Sequence, residues 1–333
     1  MRKVSHPREP RVLAWAGEAG WALPEHESDE APAIHQLMRE RYGLDVTLLG
    51  TVAGHYTDTE QEQAERVLAL ESHRADATLP SGAHWIGRSE LDRLTLAVPE
   101  HRPALEQWLR EMENGVVPAE RAPWARLRWY AMAALWVREQ LERLGYREIG
   151  PVEQLHARVW STVLRVPTEA GLVYFKAVAA PLYAFEPDVT RALADLLPAN
   201  LPRVLAVDEA RHWMLLADSG TSLRGALQTS GDTAAYEAML LHFAQLQMAT
   251  VPHVDRFVAL GCPDRRLERL PEHFRALVAD RLGLRVGQVG GLVEDDYARL
   301  RALAPEVEAL CARLASYHLP QPPCTTRSSA QAM

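Results

Sequence analysis

The chain has 333 residues, enough for two or three domains and a sizeable core. With 36 Lys and Arg against 44 Asp and Glu, its net charge of −8 argues against a general nucleic-acid binder, which needs a basic footprint. The three cysteines, Cys262, Cys311 and Cys324, are odd in number and widely spaced, so they read as reduced thiols and not as a disulfide framework or zinc site.

The first stretch, about residues 8–112, alternates short strands with two helices. Arg11 to Trp15 reads as a strand, Gly17 to Gly20 as a turn, and Gly20 to Pro24 as the way into a second strand. Asp29 to Tyr42 carries Ile34, Leu37, Met38 and Arg41 at helical spacing, and Gly43 is placed to end that helix. Asp45–Val52, Arg66–His73 and His84–Ile86 read as strands, Ser89 as a cap, and Pro103–Met112 as a closing amphipathic helix. The order β-β-α-β-β-β-α predicts an α+β sandwich.

This first stretch resembles the Nudix fold, through Trp21-x-Leu-Pro24, the helix end Glu40-Arg-Tyr-Gly43-Leu44 and Trp85-Ile-Gly-Arg-Ser-Glu-Leu91. The resemblance implies a helix that offers paired glutamates to Mg²⁺ on a diphosphate, since a hard cation takes oxygen ligands. Here Gln36-Leu37 stands for Arg-Glu, and Arg41 for the second Glu of the pair; only Glu40 is retained. The expectation is a degenerate Nudix-like scaffold without hydrolase chemistry, with no metal ligands. Glu25, Glu27 and Glu30 read as a solvated loop. A working Nudix-type diphosphatase is the minor alternative.

Residues 113–150 read as a linker, marked by Asn114-Gly115 and Pro118, followed by a bridging helix over Pro123–Leu144. Its apolar positions Trp124, Leu127, Ala131, Ala134, Leu135, Val137 and Leu141 imply burial against another domain. Trp129 and Trp136 suggest either a stacking platform or core, and core is favoured.

The second domain, about 151–220, opens with Arg158–Val166, read as a strand, a tip and a strand, and then a hairpin turn at Thr168-Glu-Ala-Gly171. Leu172–Val178 is a strand carrying Lys176, and Pro181–Leu197 a helix carrying Glu186. Arg203–Val207 and Trp213–Ala217 are two further strands, broken by Asp218-Ser-Gly220, with Thr221 or Ser222 as a cap. Helices follow over Thr233–Ala249, Leu270–Leu282 and Asp295–Ser316. On Lys176 and Glu186 alone, the bland reading is a solvated lysine with an unrelated glutamate.

From about Gly150 to Tyr317 the chain resembles the aminoglycoside phosphotransferase-like kinase family. The carriers are Trp160-Ser-Thr-Val-Leu-Arg-Val, the strand ending in Lys176, Glu186, Pro202-Arg-Val-Leu-Ala-Val-Asp208, Trp213-Met-Leu-Leu-Ala-Asp-Ser-Gly220 and Phe243-Ala-Gln-Leu-Gln247. The resemblance implies a protein-kinase-like N-lobe, five antiparallel strands plus a helix, and over 221–317 a partial helical C-lobe. It implies ATP as the nucleotide, with Mg²⁺ accompanying it in an intact member. Lys176 would pair with Glu186 and touch the phosphates. Ser161 and Thr162 would sit at a tip over them, or else belong to an ordinary hairpin. The backbone at Ala217 and Asp218 would meet the adenine edge.

The family's His-Gly-Asp-x-x-x-x-Asn loop and later Asp are missing from the 333 residues, so no catalytic residue is assigned. After His318-Leu-Pro-Gln321 the chain runs into a polar stretch, and 318–333 reads as a disordered tail. Codons exist for Pro323-Cys-Thr-Thr and Ala330-Gln-Ala-Met whose offset frame reads Leu-His-His and Ala-Gly-Asn, at the loop's His-to-Asn spacing. No codon choice for Thr326-Arg-Ser supplies its Gly-Asp. The expectation is a kinase gene truncated by a frameshift before its catalytic loop.

The parent activity is then ATP-dependent phosphorylation of a hydroxyl on an unknown small-molecule acceptor, with this chain inactive. The alternative is a non-catalytic nucleotide-binding or interaction module. A stripe of Val307, Leu310, Cys311 and Leu314 would favour self-association if it is exposed. With no signal-peptide pattern and no long apolar run, the expected location is cytoplasmic, away from membranes.

Overall fold

The computed structural model describes residues 2–25, 28, 30–56, 64–119, 121–220, 233–288 and 290–323. Glu27, Asp29, Thr221, Ser222 and the tail from Cys324 onward lie outside the described residues. The chain is mixed α+β with two sheets. It divides into two units: residues 1–187 with 203–218, and residues 188–202 with 219–333.

The first sheet begins earlier than the sequence pattern suggests. Its strands are β1 (Arg2–Ser5), β2 (Val12–Gly17), β3 (Gly20–Ala22), β4 (Val46–Tyr56), β5 (Ala64–Ser72) and β6 (Ala83–Ile86). They run in the order β3-β2-β1-β5-β4, with β6 also on β2, and β1 pairs with β5 in parallel. β1 escapes a periodicity reading because it is short and polar, Arg-Lys-Val-Ser, yet central.

Helix α1 (Ala31–Tyr42) covers one face of this sheet. Ile34 and Met38 pack there with Val4, Leu13, Leu68 and Leu70. Gly43 ends α1 in the left-handed region (φ 64°), donating to the Arg39 carbonyl as expected of such a cap. After the single turn α2 (Arg88–Leu91), helix α3 (Arg102–Asn114) covers the other face through Leu105, Trp108 and Leu109 against Val12, Ala14, Val67 and Ala69. A sheet buried on both sides explains the unbroken apolar runs of β2 and β5. Ser89 lies inside α2; the N-cap is Gly87, whose N–H donates to Glu90 Oε2 at 2.6 Å.

The bridge is shorter than the Pro123–Leu144 helix expected. A 3₁₀ turn, Pro123–Ala125, ends in an extended residue, and α4 (Trp129–Leu144) starts only after Arg128 at φ 67°. The buried Glu71 carboxylate fixes that break by accepting the Arg128 N–H at 2.7 Å. Leu135, expected on the buried stripe, is 57% exposed, while Trp129 and Trp136 are core.

The second sheet has five antiparallel strands: β7 (Glu153–Ala157), β8 (Ser161–Thr168), β9 (Gly171–Val178), β10 (Val204–Asp208) and β11 (Trp213–Ala217). Their order is β10-β11-β9-β8-β7. Between β9 and β10 runs α5 (Glu186–Leu196), which starts later than Pro181. Pro187 suits its first turn, where an amide donor is not needed. One face packs on α4: Leu164, Val166, Phe175, Trp213 and Leu215 meet Trp129, Trp136, Val137 and Leu141. The Phe175 and Trp213 rings stack edge-on at 5.4 Å between centroids, and both lie 5.7 Å from Trp136.

Gln154 ties the two sheets together. Its side-chain amide accepts the Leu48 N–H at 2.8 Å and donates to the Leu48 carbonyl at 3.0 Å, capping the outer edge of β4 as a paired strand would. The same Nε2 donates to Thr162 Oγ1, which donates onward to the His156 carbonyl.

The second unit holds the helices α6 (Ala234–Thr250), α7 (Val254–Ala259), α8 (Leu270–Ala279), α9 (Glu294–Ala302) and α10 (Ala304–Ala315). The single helix expected over 295–316 is two, because Pro305 cannot donate within a continuous helix and instead opens α10. Tyr297 is buried and donates to the Val278 carbonyl at 3.0 Å. Of the stripe noted on α10, Leu310 and Leu314 are exposed. Residues 318–323 are placed, and Gln321 Oε1 accepts the Leu267 N–H at 2.7 Å. Among the described residues, no helix is long and apolar enough to cross a membrane.

Candidate functional site

The face of the second sheet turned away from α4 carries the candidate site. Strand pairing places Val163, Lys176 and Met214 side by side across β8, β9 and β11, and directly opposed residues in antiparallel strands share a face. Val178, Met214 and Leu216 form a small apolar cluster there, flanked by Tyr174, Tyr183, Val204 and Val207.

Within this apolar surround Lys176 Nζ donates to Glu186 Oε1. The two side chains are only 5% and 6% exposed. A buried ion pair contributes little net stability, because desolvating two charges offsets their attraction. The arrangement does something else: it fixes the lysine amine and a carboxylate side by side on an apolar face.

Of the other residues singled out in the sequence, Ser161 pairs with Val178 and so shares the Lys176 face. Thr162 pairs with Ala177, which belongs to the α4 side, and its hydroxyl is committed to Gln154 and the His156 carbonyl. Neither residue is the tip. Both begin β8 and are buried, while the turn is Arg158-Val159-Trp160, with Val159 79% exposed. The turn is closed by Arg158 N–H to the Ser161 carbonyl, and held by Trp124 Nε1–H to the Arg158 carbonyl at 3.0 Å. Ala217 ends β11 opposite Val173, its N–H donating to the Arg203 carbonyl, and exposed Asp218 follows. Asp218 helps push the Tyr174 phenol upward, after burial as the larger cause.

His156 was not apparent from the sequence. It pairs with Val163, which puts it in the same row as Lys176, and its Nε2 lies 3.4 Å from Ser161 Oγ. Burial, then the Lys176 and Arg158 charges, lower its pKa to about 4. A shift in register between Gln154 and His156 places these two residues on opposite faces. Plain alternation along β7 would put them on the same one, so sequence spacing hides His156.

On the first sheet, Glu40 is exposed on α1 and accepts from Gln36 Nε2 at 2.8 Å. Among the described residues, no group of three or more His, Cys, Asp or Glu side chains is placed to hold a metal ion. No protein-family model matches this chain, and no curated protein matches it.

Proposed function

We propose that the second sheet, with Glu186 following β9, is the nucleotide-holding part of an aminoglycoside phosphotransferase-like kinase, and that the first sheet is a degenerate Nudix-like scaffold. The observation that carries this reading is the buried Lys176–Glu186 pair, which joins a strand lysine to the first residue of the next helix. Lys176 is the cation for the phosphates of ATP, and Glu186 keeps it oriented. Ser161 is the hydroxyl on that face, and the backbone at Ala217 and Asp218 is the adenine edge. ATP, when bound, supplies the phosphoryl group; the parent reaction passes it to a hydroxyl of a small molecule.

The 333 residues contain no His-Gly-Asp-x-x-x-x-Asn loop to deprotonate that hydroxyl or help hold Mg²⁺. The reading for this chain is therefore nucleotide binding without measurable transfer. The same fact favours, as a second reading, a binding module that works without catalysis.

The test is titration of the full chain with a fluorescent ATP analogue, displaced by ATP and by pyrophosphate. Lys176→Met combined with Glu186→Met removes both charges without stranding either, and is expected to abolish binding in a folded protein. Absence of binding to the unmodified chain at millimolar nucleotide overturns the proposal. Transfer of labelled γ-phosphate to any hydroxyl overturns the view that the chain is inactive.

A further inference from the structure

The row across the second sheet holds a titratable group that the nucleotide reading does not use. His156 and Lys176 are separated by Val163 alone, two strand spacings or about 10 Å between backbones. The Ser161 hydroxyl lies on the same face, 3.4 Å from the imidazole. These three side chains come from three adjacent strands. An imidazole, a hydroxyl and an ammonium together offer donors to a tetrahedral oxyanion from separate directions.

The surroundings set what the imidazole can do. The charged groups near it are Lys176 on β9, Glu186 on α5 and Arg158 at the turn, with Glu30 3.3 Å from Arg158. Farther along β7, Glu153 is held by Arg165 at 2.5 Å. The cations outweigh the anions at His156, and it is half-buried, so in the free protein it is uncharged at neutral pH. A phosphate group placed beside Lys176 reverses that balance, because a nearby anion favours the imidazolium.

We propose that His156 contacts the phosphate bound beside Lys176 and takes up a proton from solvent when it binds. This rests on the nucleotide-binding reading. The sign follows from linkage. A ligand that raises a group's pKa binds more tightly at lower pH, and the gain is lost as pH rises through the pKa of the complex.

The experiment is calorimetric titration of the full chain with ATP analogue, and separately with pyrophosphate, in buffers of different ionisation enthalpy between pH 6 and 8. The wild-type chain is expected to take up a fraction of one proton per ligand, and log Kd to rise with pH at a slope equal to that fraction. His156→Gln keeps a donor and is expected to bind with smaller uptake and a shallower pH profile, leaving only the ionisation of the ligand's own phosphate. Tight binding by the wild type without proton uptake overturns the inference and leaves the nucleotide reading standing. Unchanged uptake in His156→Gln does the same. Failure of the wild type to bind either ligand overturns both. Absence of uptake in the unmodified chain overturns the inference whether or not the variant folds.

Discussion

Lys3 sits at the centre of the first sheet with no exposed surface, and its Nζ has no hydrogen-bond partner among the described residues. The ammonium lies 4.0 Å from the centroid of the Trp108 ring, and Arg121, paired with Glu111 at 2.5 and 3.0 Å, lies 4.8 Å from the same ring. Replacing Lys3 by Met tests the energetics. An unsatisfied buried donor costs about 1–3 kcal/mol. The cation–π contact returns about 0.5–2 kcal/mol, and a thioether on the ring returns about 0.3–1.5 kcal/mol in its place. The substitution is therefore expected to stabilise the protein by about 1–2 kcal/mol at pH 7, a net of the desolvation cost and two nearly equal ring contacts. Burial first, then Arg121, hold the lysine well below its usual value, while Glu111 raises it slightly. Because the folded pKa is lowered, the unfolded chain binds the extra proton, and wild-type stability rises with pH up to the unfolded value near about 10.4. The advantage of Lys3→Met should thus shrink between pH 7 and pH 10. Urea denaturation of both proteins at pH 7 and 9.5 reads both effects. A variant less stable than wild type at pH 7, or a difference that does not change with pH, would refute this account.

Glu71 is the opposite case: burial pushes its carboxyl up to about 7, against the Arg128 N–H that lowers it. Its folded pKa is raised, so stability is fully present below about pH 4.5 and is lost as pH rises through about 7; Glu71→Gln, which still accepts that N–H, should gain about 3 kcal/mol at pH 8 and flatten the pH–stability profile over this range. Gln154→Leu orphans both polar groups of Leu48 and should cost about 2–4 kcal/mol in a urea melt, with amide exchange accelerated first along β4. Lys176→Met alone removes the amine from a buried Glu186 and should cost about 3–5 kcal/mol, whereas the double methionine variant should melt near the wild type. If single and double variants melt alike, the pair is not buried as described.

The parts of the fold legible in the sequence are those where one local signal decides. Gly43 ends α1, Gly171 turns the hairpin between β8 and β9, and the apolar runs of β2 and β5 mark strands buried on both faces. What was not legible depends on partners distant in sequence. The helix break at Arg128 needs Glu71, fifty-seven residues earlier. β1 is a strand because β2 and β5 flank it, not because Arg-Lys-Val-Ser is apolar. At the candidate site, the kinase-family resemblance points to a Lys176–Glu186 pair, whereas the two residues alone read as a solvated lysine with an unrelated glutamate. His156 was not legible, because a single register shift exchanges the faces of β7.

The two buried lysines make the strongest physical contrast in the chain. Lys3 has an aromatic ring but no carboxylate hydrogen-bonded to it, and its environment drives it toward the neutral amine. Such a residue is explained by packing, with its amine set against the Trp108 ring. Lys176 is nearly as buried, yet it carries Glu186 directly on its Nζ. Packing alone would be served as well by two apolar side chains, and often better, because a buried pair barely offsets its own desolvation. On the proposed nucleotide reading, a lysine and a carboxylate held on an apolar face beside Val178, Met214 and Leu216 are accounted for once an anion arrives to use them.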